Sequence, residues 1–289
     1  MQIERIRREA GSRGRALMWL NLLCLDAPLV AVVWQAAFAS TFNVTLPMGS
    51  QVALFLTAWL IYLGDRLADV LSIKAQDLMS ARQAFCFYYR RHFFFAIAGI
   101  GLLDAWLIVS ALEERLRLAG AAIGGVAIAY LMVNHSLGRV WRVIPVKELS
   151  IGSLFTLGTV VGVMTRMTKI TAAFYLATIL FGCLCTFNCV CIATWERALD
   201  RAQAKFSIAT RFLVSHNMIG TVGFGCAAIA VASATAFHIT AGLISCIAIS
   251  FACLALLDFA DDCDLRDEQT ALADLALLTP IGLLIAQRL

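Results

Sequence analysis

Apolar runs recur along nearly the whole chain, each long enough to cross a bilayer, and short polar stretches separate them. A crossing helix needs about 20 mostly apolar residues. The runs fall at about 16–39, 51–69, 92–112, 118–136, 149–165, 171–195, 212–234, 238–257 and 270–287. The polarity between the seventh and eighth is weakest. Within each run the apolar residues are continuous rather than alternating, which predicts helices and not the strands of a barrel. The pattern therefore predicts an all-α, polytopic membrane protein. It is a bundle of about nine transmembrane helices in a single domain over 1–289, with a basic tail at 1–15.

Composition agrees. Of the 289 residues, 61% are hydrophobic and 15% charged, with mean hydropathy +0.83. A soluble domain is nearer half apolar and a quarter charged. The net charge of +4 comes with no basic patch interleaved with aromatics, so nucleic acid is not an expected partner. Most of the ten cysteines lie inside apolar runs, where free Cys serves as a small hydrophobe. The first run imitates a signal peptide, ending in Ala37-Phe38-Ala39 after basic residues. It is longer than the usual h-region of about 7–15 residues and carries Asp26 and Pro28, so it reads as a retained first span.

Charge sets the orientation. Arg115, Arg117, Arg166, Lys169 and Arg288 fall on one face of a nine-span arrangement; the other Lys and Arg, of 23 in all, fall on the opposite face. The positive-inside rule places that richer face, and the N-terminus, in the cytoplasm. A bacterial inner membrane is the expected location.

The same face collects acids. The run ending Trp59–Asp69, WLIYLGDRLAD, closes on Asp65 and Asp69. Four residues apart on a helix, their Cβ atoms stand about 5–6 Å apart. A second pair, Glu196 and Asp200, closes the sixth run in WERALD. Carboxylates at a helix C-terminus oppose its dipole, so capping does not account for them. Two such pairs facing each other could hold hard divalent ions, which take oxygen ligands and bridge to phosphates. The first acid of each pair is followed by an arginine, Arg66 and Arg197.

Nine spans with acidic motifs after the second and sixth resemble the UbiA superfamily of intramembrane prenyltransferases. That family's first motif reads NDxxDxxxD. The matching stretch here is Ile61-Tyr62-Leu63-Gly64-Asp65-Arg66-Leu67-Ala68-Asp69, which keeps the last two acids. The second motif, DxxDxxxD, aligns with Ala193-Thr194-Trp195-Glu196-Arg197-Ala198-Leu199-Asp200 and again keeps the last two. The resemblance implies a bound prenyl diphosphate and transfer of its prenyl group to an aromatic or lipid acceptor. It implies Mg²⁺ held by Asp65, Asp69, Glu196 and Asp200. Arg66, Arg139, Arg142, Lys147, Arg197 and Arg201 are the candidates for the diphosphate. Electrostatic neutralisation of a departing diphosphate in a dry site suits such residues. The prenyl tail would lie among the spans and membrane lipids, with aromatics such as Trp59, Tyr62, Phe187 and Trp195 near a developing carbocation. A lipid-binding protein or transporter on the same scaffold is the competing expectation, because Ile61 and Tyr62 stand where that motif has its leading Asn and Asp.

Polar residues inside spans should face the bundle interior. They include Asn21, Asp26, Asp104, Asn188, His216, Asn217 and Asp274. Asp26 and Asn188 are expected to line a cavity with Tyr62 and Trp195. His92 and His135 sit at span ends and read as interfacial. The acidic stretch from Asp258 to Glu268 reads as a solvated loop, with a lid or an extra metal contact near the same mouth as its alternative. Pro28 is expected to kink the first span. No Gly-rich phosphate loop, Ser/His/Asp set or HExxH motif is present.

Overall fold

The computed structural model describes residues 14–73, 78–137, 140–143, 146–212, 216–260 and 266–287. The tail arginines Arg5, Arg7, Arg8 and Arg13, together with Arg139, Pro145, Asp261, Asp262 and Asp264, lie outside the described residues.

The described residues form helices and their connections. They run α1 Gly14–Leu22, α2 Asp26–Thr41, α3 Met48–Leu71, α4 Ala81–Tyr88, α5 Arg90–Ala111 and α6 Glu114–Ser136. The chain continues through α7 Val140–Val143, α8 Lys147–Met164, α9 Ala172–Trp195, α10 Arg197–Ala202 and α11 Ile208–Arg211. It ends with α12 His216–Ala236, α13 Ala241–Phe259, α14 Arg266–Ala276 and α15 Pro280–Ala286.

Seven segments among the described residues are long and apolar enough to cross a membrane: α5, α6, α8, α9, α12, α13 and Glu268–Ala286. The last joins α14 and α15. The two remaining expected spans depart from that pattern. α3 has 24 residues, or about 36 Å at 1.5 Å per residue, but carries Asp65, Arg66 and Asp69. The first span is divided into α1 and α2. The break falls at Leu23–Leu25, ahead of Pro28. Pro28 sits in the first turn of α2, where a missing N–H is harmless.

Three helices end in the same way, none of them on glycine. Cys24, Asn43 and Ala204 hold φ of 57°, 53° and 53°. Past α1, Leu25 N bonds Leu20 O at 2.8 Å and Cys24 N bonds Asn21 O at 3.1 Å. The same two bonds close α2 at Val44 and Asn43, and α10 at Lys205 and Ala204. This is the Schellman arrangement, which satisfies the last carbonyls of a helix.

α9 lies along α8, α12 along α13, and α3 along α5, while α2 contacts both α3 and α8. The main core gathers Trp34 and Phe38 of α2, Phe174, Phe181 and Leu184 of α9, and Phe251 of α13. Trp34 stacks at 4.5 Å on Phe181 and donates its indole N–H to Leu277 O at 2.7 Å. That carbonyl lies just beyond α14, so the tryptophan supplies its partner. α8 approaches α9 closely at Gly152, where a Cβ would meet Thr186 Oγ1 at 2.4 Å. Small residues permit such crossings between membrane helices.

α5 and α6 form the outer wall. Only 11% and 6% of their spans are buried inside the protein, against 56% for α13. Phe94, Phe95, Leu102, Trp106, Ile128 and Met132 point outward, as lipid requires. Asp104 of α5 is turned inward and accepts the Thr57 hydroxyl at 2.7 Å.

Candidate functional site

α3 ends in a polar turn because its apolar face and its acids occupy adjacent stripes. Leu56, Leu63, Arg66 and Val70 are buried at helical spacing, while Asp65 and Asp69 are partly open. Arg66 is therefore an arginine on the core face. It is 8% exposed, lies 5.5 Å over the Tyr62 ring, and makes no ion pair among the described residues. Cys24, Asp26 and Glu196 stand within its electrostatic reach.

The second acidic pair does not continue one helix. α9 stops at Trp195, and Glu196 is the joint to α10, with φ −87° and ψ 7°. The i, i+4 relation survives the joint, since Asp200 N still bonds Glu196 O at 2.9 Å.

The two pairs meet at one end of the bundle, and each is tied to basic side chains. His135, at the end of α6, places Nε2 at 3.0 Å from Asp65 Oδ1 and Nδ1 at 3.8 Å from Asp69 Oδ1. Lys205 Nζ lies 2.8 Å from the other Asp69 oxygen. Arg82 of α4 pairs with Glu196. Lys147 opens α8 near both Asp65 and Asp200. Burial pushes the Asp200 carboxyl above its usual range, while Lys147 and Lys205 pull it back. Beside them, Glu148 is buried and accepts Ile208 N at 2.9 Å, leaving Oε2 with no partner.

Arg82, His135 and Lys205 join the candidate site, and spacing along the chain does not single them out. His135 sits at the end of its span, as expected, and also faces Asp65 and Asp69. Arg82 is set by a capping box: Ser80 accepts Gln83 N, and the Gln83 side chain accepts Ser80 N at 3.1 Å. Ser-x-x-Gln before an apolar stretch is the one sequence signal that marks this short helix. Lys205 is presented by the Schellman turn that ends α10.

Other expected members make different contacts. Arg197 bonds Phe212 O at 3.3 Å, and Arg201 is exposed. Arg142 falls in α7, but its side chain is outside those described. Trp195 is 2% exposed within the core, and its indole donates to Asp258 at 3.0 Å. Asp258 also accepts Gly220 N at 3.0 Å and is 1% exposed. It is thus a packed strut between α9, α12 and α13, not part of a solvated loop.

A buried polar cluster lies below the charged end. Asn188 donates to Asp274 at 3.2 Å, and Asn21 donates to Asp26 at 2.7 Å. Asn21, Asp26 and Asp274 line a small cavity with Leu20, Leu29 and Leu278. Asn188 Oδ1 and Asp274 Oδ2 are buried without partners.

The resemblance implies Mg²⁺ at the acidic pairs, and the donor set can be tested against it. A divalent ion of this kind needs carboxylate oxygens free to turn toward it. Here Asp65, Asp69 and Glu196 already face His135, Lys205 and Arg82. No group of three or more His, Cys, Asp or Glu among the described residues is gathered to hold a metal ion. The residues present do not fit a resident Mg²⁺.

No family model matches the chain, and no curated protein matches its sequence. Among solved structures, its fold is similar to the apo structure of a UbiA homolog from Aeropyrum pernix K1. The TM-score is 0.63 at 11% identity, over 92% of this chain and 99% of that one. At that identity the likeness is one of fold.

Proposed function

We propose that the chain is a multi-pass membrane prenyltransferase of UbiA-like architecture. It binds a prenyl diphosphate at the charged end of the bundle and passes the prenyl group to an aromatic or lipid acceptor. The observation that carries this reading is the meeting of Asp65, Asp69, Glu196 and Asp200 with Arg82, Lys147 and Lys205 at one end of an apolar bundle. The UbiA-like fold around them supports it.

In the reaction the bond from prenyl C1 to the diphosphate oxygen breaks, and its electron pair leaves with the diphosphate. The acceptor then bonds to C1 and gives up a proton. Departing negative charge is stabilised by fixed cations in a site with little water. Arg66, buried beside Tyr62, and Lys147, at the head of α8, each make no ion pair with a carboxylate among the described residues. The prenyl tail would run between apolar helices. By the distribution of Lys and Arg, the charged end faces the cytoplasm of a bacterial inner membrane.

The test is reconstitution of the full chain in vesicles with labelled allylic diphosphates of several lengths and a membrane lipid extract. Release of diphosphate with a prenylated product is expected. The opposite-charge pairing inside the site favours a second reading, a lipid-binding protein or transporter that holds the ligand without cleaving it. Binding without release would establish that reading.

A further inference from the structure

The carboxylates of the charged end are expected to recruit divalent ions, yet basic side chains of the chain itself occupy the space beside them. Arg82 lies against Glu196, Lys205 against Asp69, and His135 against Asp65. Lys147 lies within electrostatic reach of both Asp65 and Asp200, and Arg66, on the buried stripe of α3, lies within reach of Cys24, Tyr62, Asp26 and Glu196. Four basic residues, Arg66, Arg82, Lys147 and Lys205, supply the four positive charges that two divalent ions would bring to Asp65, Asp69, Glu196 and Asp200. His135 can add one further positive charge by taking up a proton.

We infer that this site holds the diphosphate group through Arg66, Arg82, Lys147 and Lys205 directly, without a divalent cation, and that its acidic residues position those basic ones. The inference rests on the prenyl diphosphate reading above and changes how that site grips its ligand.

The chemistry supports the exchange. Guanidinium groups meet phosphate oxygens in a planar, two-bonded fork, and ammonium groups meet them as point charges. A diphosphate entering between α3 and α9 would compete with Asp69 for Lys205 and with Glu196 for Arg82. Both pairs have side chains between 13% and 27% exposed, so they are reachable without unfolding the core. The carboxylates would keep Arg82 and Lys205 extended before the ligand arrives. Arrangement in advance lowers the ordering cost of binding.

Isothermal titration of the full chain in lipid nanodiscs tests this, with inorganic pyrophosphate and a fifteen-carbon allylic diphosphate as probes. Each is titrated in EDTA and then in Mg²⁺. The expected result is binding in EDTA, with Kd changed less than about threefold by Mg²⁺, since no ligand set calls for the ion. Arg82→Met and Lys205→Met should each weaken binding by about tenfold or more, as charge-assisted hydrogen bonds are lost. Because Lys205→Met strands Asp69, the double variant Lys205→Met with Asp69→Asn serves as the folded control. It should bind as weakly as the single variant.

Binding that appears only with Mg²⁺ would overturn the inference and leave the prenyl diphosphate reading standing. Binding in EDTA that none of these variants weakens would also overturn the inference. Absence of binding under both conditions would overturn the prenyl diphosphate reading itself, and the inference with it.

Discussion

Lys205 Nζ stands 2.8 Å from Asp69 Oδ2, although 136 residues separate them. The pair joins the end of α3 to the turn beyond α10, and that turn depends on Ala204 at φ 53°. An L-residue in this conformation costs about 1–2 kcal/mol, and glycine avoids that at some expense in unfolded-state entropy. Ala204→Gly should therefore stabilise the protein by up to about 1 kcal/mol. Thermal unfolding in detergent would register this as a higher midpoint. A lower midpoint would mean that the Ala204 methyl group contributes packing.

Arg82 and Glu196 are each mostly buried, with side-chain exposures of 13% and 15%. Removing one member leaves a stranded charge. Arg82→Ala should destabilise by about 3 kcal/mol. Adding Glu196→Leu should restore more than half of that, because the isolated carboxylate is then gone. Equal losses in the single and double variants would show that Arg82 acts through packing alone.

Asp258 binds two buried donors, the Trp195 indole and the Gly220 amide. Asp258→Ala leaves both without an acceptor, which should cost about 2–4 kcal/mol. Asp258→Asn retains a carbonyl acceptor and should lose less. Chemical denaturation in detergent ranks the two, and an Ala variant as stable as the parent would contradict the strut.

At Gly152, an added Cβ meets Thr186 at both side chain and backbone, within 2.8 Å of three atoms. Gly152→Ala should force α8 away from α9 and cost about 1–3 kcal/mol. Thr186→Ala should rescue it only in part, since the backbone nitrogen at 2.6 Å remains. Full rescue would mean the hydroxyl was the whole obstacle.

Burial raises the Asp200 carboxyl, so folding favours its protonated form. The stabilisation from this group is fully present below about pH 4, the unfolded value. It is lost as pH rises through the higher folded value. Asp200→Asn removes that dependence. Stability measured from acid to neutral pH should show the variant gaining on the parent as pH rises. A parallel pair of curves would mean the carboxyl titrates alike in both states.

The spans and the acid pairs were legible because they are local. Continuous apolar runs predict α5, α6, α8, α9 and α13 at nearly their observed positions, and i, i+4 spacing puts Asp65 beside Asp69 without further information. The partners were not legible in the same way. Nothing local distinguishes Arg82, His135 or Lys205 from other polar residues near a membrane surface, because each is matched to its acid by the packing of distant helices. Pro28 hints at a kink in the first span, but the position of the break at Cys24 is not legible for a related reason: the left-handed cap carries no glycine to announce it. Trp195 and Asp258 each have a familiar alternative at a span end, and their burial and hydrogen bond show that both belong to the core.

α5 and α6 face outward along almost all of their length. Most of their side chains answer only to the requirement of being apolar, which Leu, Ile, Val, Phe and Met meet about equally. A lineage can exchange them freely while Asp104, on the inward side of α5, stays tied to Thr57. Such helices erase ancestry quickly. The mostly buried Arg82–Glu196 pair resists exchange one residue at a time, because each single change strands a charge. Kinship with other chains of this shape would therefore be recorded in coordinated replacements at a few distant positions, long after the outer wall has lost any trace of it.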